Sequence, residues 1–332
     1  MAERTIALST GTIELSLAPG SSASETIIVS NEGDEPLKAL VYTADVTYDA
    51  SGTPAYVRPE SNPQAMNGSP ALWLSLQMPK ETQVIANTPY VELEPGESIP
   101  VSFELEVPQG ATPGDHTAII FFEMFTTDDV EGTSSQISGR IGARIDVRVA
   151  GEVIEKLDVA PFAIREFVIG DSAAYSFTLS NLGNIDKHCT TSLVVLDRSE
   201  NEVLRSQVES DTAVYAGSSR SYADVLELPD LGFGKYTVRA EVVYNRETSG
   251  TASVTDVLAK DRTVWVVPLW IAIVVLLVVG LPILYLIWRS GVRSEARKAA
   301  KKAERDAARL RRAARVRRSR EDDEAGGSLG GR

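Results

Sequence analysis

Few residues in this chain are equipped for chemistry. Only two histidines, His116 and His188, and one cysteine, Cys189, occur among 332 residues. His188 and Cys189 are neighbours, and adjacent strand residues point to opposite faces, so they make a poor nucleophile–base pair. Cys189 reads as a buried free thiol, and a single cysteine excludes an intramolecular disulfide and a thiolate zinc cluster. His116 follows Gly114-Asp115 and reads as a turn or strand-edge residue. Asp128, Asp129 and Glu131 read as a solvated acidic loop rather than a cation site. No nucleophile elbow, phosphate-binding loop, zinc-helix motif or EF-hand loop is present. Nothing singles out two carboxylates for glycoside cleavage. The expectation is no enzyme, no cofactor and no metal.

Binding chemistry has better candidates. Residues 48–83 are rich in Gly, Pro, Asn and Ser and carry Tyr48, Tyr56, Met66 and Trp73. Tyr56, Trp73 and Tyr48 are the ligand-binding candidates of the sequence, because a long polar insertion bearing aromatics more often serves function than packing. For Trp73, a plug in the core of the fold is an equal alternative; for Tyr56, an exposed position is favoured.

The elements that must position these residues are strands. Ile13, Leu15 and Leu17 alternate with polar residues, as do Val101, Phe103, Leu105 and Val107, and residues 118–125 form a fuller apolar run. Ile141, Ile145, Val147 and Val149 predict a strand pairing back on that run. No long segment of 3.6 period interrupts them. Four landmarks then recur in order, which marks an internal repeat. Gly20 stands eleven residues before Asn31, and Gly170 eleven before Asn181; Gly96 stands twelve before Pro108, and Gly217 twelve before Pro229. Each copy reads as one immunoglobulin-like β-sandwich. The copies differ in length: Gly20 to Gly96 is 76 residues and Gly170 to Gly217 is 47, and the 29 extra residues fall within 48–83.

Residues 264–288 contain no charge. As a helix they reach roughly 37 Å against a hydrocarbon core of about 30 Å, so they predict a membrane span, with Trp265 and Trp270 near one end and Tyr285 and Trp288 near the other. Residues 1–288 hold 18 Lys and Arg against 39 Asp and Glu, a balance of −21, while residues 289–332 hold 15 against 7, a balance of +8. Basic residues beside a span stay cytoplasmic, so residues 1–262 are expected outside. So acidic an outer part argues against nucleic acid, and the cationic tail suits contact with anionic lipid. The beginning MAERTIALSTG has no apolar leader stretch, although an outer part of this size calls for export.

The fold expected is therefore all-β: two tandem immunoglobulin-like β-sandwiches, residues 1–150 and 151–258, then one transmembrane helix at 264–288 and a basic, partly helical cytoplasmic tail at 289–332. Pro19-Gly20, Asn31, Gly52 with Tyr56, Trp73-Leu74, LEPGES at 93–98, VPQGATPGDHTAIIFF at 107–122 and GRIGARIDVRVAG at 139–151 together resemble the WxL-interacting protein family of Gram-positive bacteria. The resemblance covers about residues 10–290 and implies a membrane-anchored cell-surface protein whose first sandwich is a peptidoglycan-binding domain. On that basis the partner expected is peptidoglycan or a cell-wall surface protein. Two alternatives stand beside it: a structural or assembly protein that pairs its strand edges with a surface partner, and a receptor signalling through the basic tail. The sandwich is also similar to the N-terminal domains of pilus chaperones.

Overall fold

Strands of period two need a partner sheet for their apolar face, and this chain supplies four sheets. The computed structural model describes residues 4–59, 66–78, 82–125, 139–247, 253–289, 301–305, 307–309 and 311. The acidic loop with Asp128, Asp129 and Glu131 lies outside the described residues, as does most of the tail.

The first eleven strands are β1 (Ile6–Leu8), β2 (Thr12–Leu17), β3 (Ser22–Asn31), β4 (Leu37–Tyr48), β5 (Pro54–Val57), β6 (Leu74–Gln77), β7 (Gln83–Ile85), β8 (Thr88–Leu93), β9 (Ser98–Glu106), β10 (Gly114–Phe125) and β11 (Arg140–Val149). They form one sheet in the order β1-β3-β9-β6 and another in the order β2-β11-β10-β4-β8-β7, with β5 on β4. Inward-facing Ile27, Val29, Val101, Phe103 and Leu105 of the first meet Leu37, Val41, Ile120, Phe122, Ile145 and Val147 of the second in one core. Residues 114–123 and 140–149 pair antiparallel, as the apolar runs predict.

Strands β12 (Leu157–Ile164), β13 (Phe167–Ile169), β14 (Ser172–Asn181), β15 (Lys187–Leu196), β16 (Glu202–Val214), β17 (Ser219–Glu227), β18 (Gly234–Glu247) and β19 (Ser253–Val267) repeat the pattern. Their sheets run β12-β14-β17 and β13-β19-β18-β15-β16. In both halves the opening strand is split, its first part joining one sheet (β1, β12) and its second joining the other (β2, β13).

The repeat holds at atomic detail. Asn31 and Asn181 are each 1% exposed. The Asn31 amide donates to the carbonyls of Glu35 (2.8 Å) and Leu93 (3.1 Å) and accepts from the Gly33 N–H (3.0 Å). The Asn181 amide donates to Ile185 (2.8 Å) and Val214 (2.9 Å) and accepts from Gly183 (3.0 Å). Paired hydroxyls recur as well, Ser30 with Ser98 and Ser180 with Ser219. These asparagines fasten the turn after one strand to the strand crossing beneath it, which is why their spacing is kept.

The extra residues of the first copy build β5, a 3₁₀ turn at Pro70–Trp73, and β6. Strand β6 covers β9 over residues 102–105, whereas β17, the counterpart of β9, ends its sheet.

Two compact units divide the chain. One comprises residues 1–168, 172–230 and 234–265, so residues 150 and 151, where the sequence places a boundary, lie within it; the other comprises 169–171, 231–233 and 266–332. In the second unit one helix, Leu269–Arg289, is 21 residues long and apolar enough to cross a membrane, with no part buried. Its length of about 32 Å matches the hydrocarbon core. This helix begins five residues later than the charge-free run, because Val264–Val267 complete β19. A π-helical stretch at Leu276–Gly280 precedes Pro282, whose missing N–H and ring oppose a regular turn. Residues 301–305 of the tail are helical.

Candidate functional site

An outward sheet face is ordinarily polar, and that of the β2–β11–β10–β4 sheet departs from this. Ala44, Ile119 and Phe121 are buried there in a cluster separate from the core, with Tyr42 and Val46 packed on them. Register places the side chains in rows: Ala44, Ile119 and Arg144 in one, Tyr42, Phe121 and Gly142 in the next. Gly142 leaves room for the row, since a Cβ there would stand 2.6 Å from the Ile119 Cδ1.

Tyr56, 37% exposed, meets the Phe121 ring edge-on at 4.9 Å, and Tyr42 lies 5.5 Å from it. Two guanidiniums bracket the rings. Arg58 stacks over Tyr42 at 3.6 Å, and Arg140 lies over Phe121 at 4.6 Å and Tyr56 at 5.3 Å. The Tyr42 hydroxyl donates to Glu123 at 2.5 Å.

One flank of this face is an open strand edge. Arg144 N–H donates to the Gly11 carbonyl (2.9 Å) and Ala150 N–H to Leu17 (2.8 Å), so the even-numbered residues of β11 direct their backbone groups towards β2. Strand β2 pairs with β11 over residues 144–149. The backbone groups of Arg140 and Gly142 face the same way, and among the described residues no strand is hydrogen-bonded to them, although β1 passes near β11. An edge of this kind is a template for another strand.

The other end of the same face is closed by the second pair of sheets. Tyr48 stacks on Tyr215 with ring centres 3.7 Å apart. Arg144 donates to the Tyr48 hydroxyl (2.8 Å), the Tyr215 hydroxyl (3.3 Å), Thr117 (3.1 Å) and both oxygens of Asp146 (2.8 and 2.7 Å). Burial opposes the Arg144 charge, but the Asp146 carboxylate outweighs it and holds the guanidinium protonated. Burial also pushes the Tyr48 phenol up against the pull of Arg144. Asp115 takes two bonds from Arg148 and one from the Asp186 N–H (2.8 Å). The Asn184 amide reaches the carbonyls of Pro113 (2.9 Å) and Glu152 (2.7 Å), and Ser221 N–H donates to Ala50 at 2.6 Å. Cavities of 530 and 470 Å³ flank the tyrosine stack. Arg144 and Arg148 pair there with Asp146 and Asp115, forming a joint between the two pairs of sheets.

Of the candidates read from sequence, Tyr56 sits in the exposed aromatic face and Tyr48 in the joint, where its ring is stacked and its hydroxyl taken. Trp73 is 3% exposed and donates its indole N–H to the Met66 carbonyl at 2.6 Å. It fills the core and presents no surface to a ligand, because the Pro70–Trp73 turn directs it inward. Sequence reasoning missed Phe121, Tyr42, Arg58 and Arg140. The signal was present in the strand 118–125, whose apolar residues fall on both faces although one face of such a sheet suffices for a core. Cys189 is 1% exposed, with burial pushing its thiol up to about 11, while His188 points out to Asp211. Among the described residues no group of acids, histidines and cysteines is arranged to hold a metal.

No protein-family profile matches the chain, and no curated protein matches it. Solved structures share its β-sandwich character at low similarity. The class 5 fimbriae chaperone CfaA is 13% identical with a TM-score of 0.43, over 77% of this chain and 99% of that one. The Escherichia coli chaperone DraB is 14% identical with a TM-score of 0.32, over 79% and 95%. The chaperone CsuC in a pre-assembly complex with CsuE, from Acinetobacter baumannii, gives 9% and 0.35, over 66% and 90%. Likeness at this level carries no argument about this chain's residues, partners or role.

Proposed function

We propose that this chain is a membrane-anchored, non-catalytic protein that holds a protein partner by strand addition. The observation that carries the reading is the backbone of Arg140 and Gly142, which no strand pairs among the described residues, beside an aromatic sheet face. An incoming strand gains main-chain hydrogen bonds from the edge and side-chain contacts from Tyr56 and Phe121. In this reading the β-sheet portion is extracellular, Leu269–Arg289 is a single-pass anchor in the plasma membrane, and the basic tail lies in the cytoplasm against anionic lipid. The tyrosine joint keeps the two tandem sandwiches fixed, so the edge is presented in one orientation.

The test uses the full chain in lipid nanodiscs and a panel of ten-residue peptides that alternate apolar and polar residues. Binding is expected to slow hydrogen exchange at the amides of Arg140 and Gly142 while leaving residues 203–209 of β16 unaffected. Peptide binding that leaves Arg140 and Gly142 exchanging as before would sink the reading.

A second reading, engagement of peptidoglycan, is favoured by Tyr56, whose exposed ring on an aromatic bed could stack against a sugar face. It accords with the resemblance to the WxL-interacting family. Retention of the chain on purified sacculi, lost in Tyr56→Ala with unaltered melting, supports it; retention no greater than that of an unrelated acidic protein removes it.

A further inference from the structure

We infer that the strand accepted at the β11 edge carries a carboxylate side chain opposite Arg140, so that the partner is recognised as an acidic β-segment. This rests on the strand-addition reading. Residues directly opposite in paired strands stand about 5 Å apart at Cβ, so Arg140, with its backbone turned to the open side, is the first side chain that an incoming strand meets.

Three features define what it meets. The Arg140 guanidinium lies over Phe121 and Tyr56, contacts that engage its charge without a hydrogen-bond acceptor. A guanidinium fork matches a carboxylate with two parallel bonds. Next, among the described residues no carboxylate oxygen lies within ion-pair distance of Arg140. Its cross-strand neighbour Glu123 is instead engaged by the Tyr42 hydroxyl. This is unusual in a segment where acids outnumber bases 39 to 18. Arg144, Arg148, Arg205, Arg220 and Arg239 each have an acidic partner. Finally, Arg58 is stacked on Tyr42 at the other side of the face, likewise without an acidic partner among the described residues, so two guanidiniums stand here against the one carboxylate of Glu123.

The same charges decide between occupants. A second copy would bring another −21 to the contact, and pairing β11 with its own copy sets no acid opposite Arg140. Repulsion between an acidic strand and the acidic body is screened beyond about 8 Å at physiological salt, whereas the guanidinium contact is not.

Three labelled ten-residue peptides alternating Val with Glu, Gln or Lys discriminate the outcomes, measured by fluorescence anisotropy on the full chain in neutral-lipid nanodiscs. The Glu peptide is expected to bind about tenfold more tightly than the Gln peptide at low salt, with the ratio shrinking in 0.5 M salt. In Arg140→Gln the ratio of the two Kd should fall to near one, and Arg140→Lys should restore part of it. Equal binding of Glu and Gln peptides, a Glu preference that survives Arg140→Gln, or tighter Lys binding overturns the inference and leaves strand addition standing. Failure of every peptide to bind a chain that is monomeric at the same concentrations removes strand addition, and this inference with it. Association of the chain with itself at the same concentrations, blocking all three, overturns it in favour of a second copy.

Discussion

Replacing Asn31 and Asn181, one at a time, tests whether the two halves are held by the same device. Each side chain is buried and makes three hydrogen bonds, two donated to main-chain carbonyls and one accepted from a glycine N–H. Asn→Ala removes two bonds of about 1 kcal/mol each and strands one partly buried N–H at about 1–2 kcal/mol, so each variant should lose about 3–4 kcal/mol. Asn→Asp is the stricter probe, because it keeps the volume but turns a carboxylate oxygen towards two carbonyls. It should cost at least as much as Ala at pH 7. An acid so placed has its folded pKa raised, and its stability contribution is present below about pH 3.9 and lost as pH rises. The deficit of Asn181→Asp relative to wild type should therefore narrow on acidification, while that of Asn181→Ala should not. Urea titrations of the full chain in detergent, followed by near-ultraviolet circular dichroism, measure all four variants. A loss below 1 kcal/mol in either alanine variant, or a deficit in Asn181→Asp that does not depend on pH, would refute the hydrogen-bond account.

Three further outcomes follow from the geometry. Gly114 has φ of +120°, and a Cβ there would stand 2.0 Å from the Asn184 carbonyl oxygen, whereas Gly96 has φ of +77° and open space. Gly96→Ala should thus cost about 1–2 kcal/mol of backbone strain, and Gly114→Ala distinctly more, with the excess removed if the joint is already broken by Tyr48→Ala. Cys189 should resist iodoacetamide at pH 8 in the folded chain and react promptly in 8 M urea, read by mass spectrometry, because its thiol is buried and its pKa pushed up to about 11. Asp186 has its carboxyl raised from 3.8, chiefly by burial and against the Ala216 N–H that bonds to it. Its contribution is full below pH 3.8 and is lost as pH rises through the raised value. Across that window Asp186→Asn should lose less stability with rising pH than wild type does, and a parallel pair of curves would contradict the assignment.

Much of the architecture is legible in the residues because it depends on local chemistry. Alternating apolar residues select strands, glycine marks turns of positive φ at Gly20, Gly96, Gly170 and Gly217, and Asn31 and Asn181 recur at one spacing because each closes the same turn. The charge-free run announces by composition alone a helix apolar and long enough to cross a membrane. That helix starts later than the run does, because Val264–Val267 are apolar for another reason, as the end of a strand.

What tertiary structure alone decided is which side chains share a face. Tyr48, Tyr56 and Trp73 lie in one polar insertion and look alike in sequence, yet one is stacked in a joint, one is exposed and one is buried. Their fates depend on partners far along the chain: Tyr215, Phe121 and the core beneath the Pro70–Trp73 turn. Phe121 and Arg140 become neighbours only through the register of β10 and β11, and the open edge exists only because β2 begins beside Arg144. Pairing and register are set by long-range packing, which leaves no local mark on the residues that it joins.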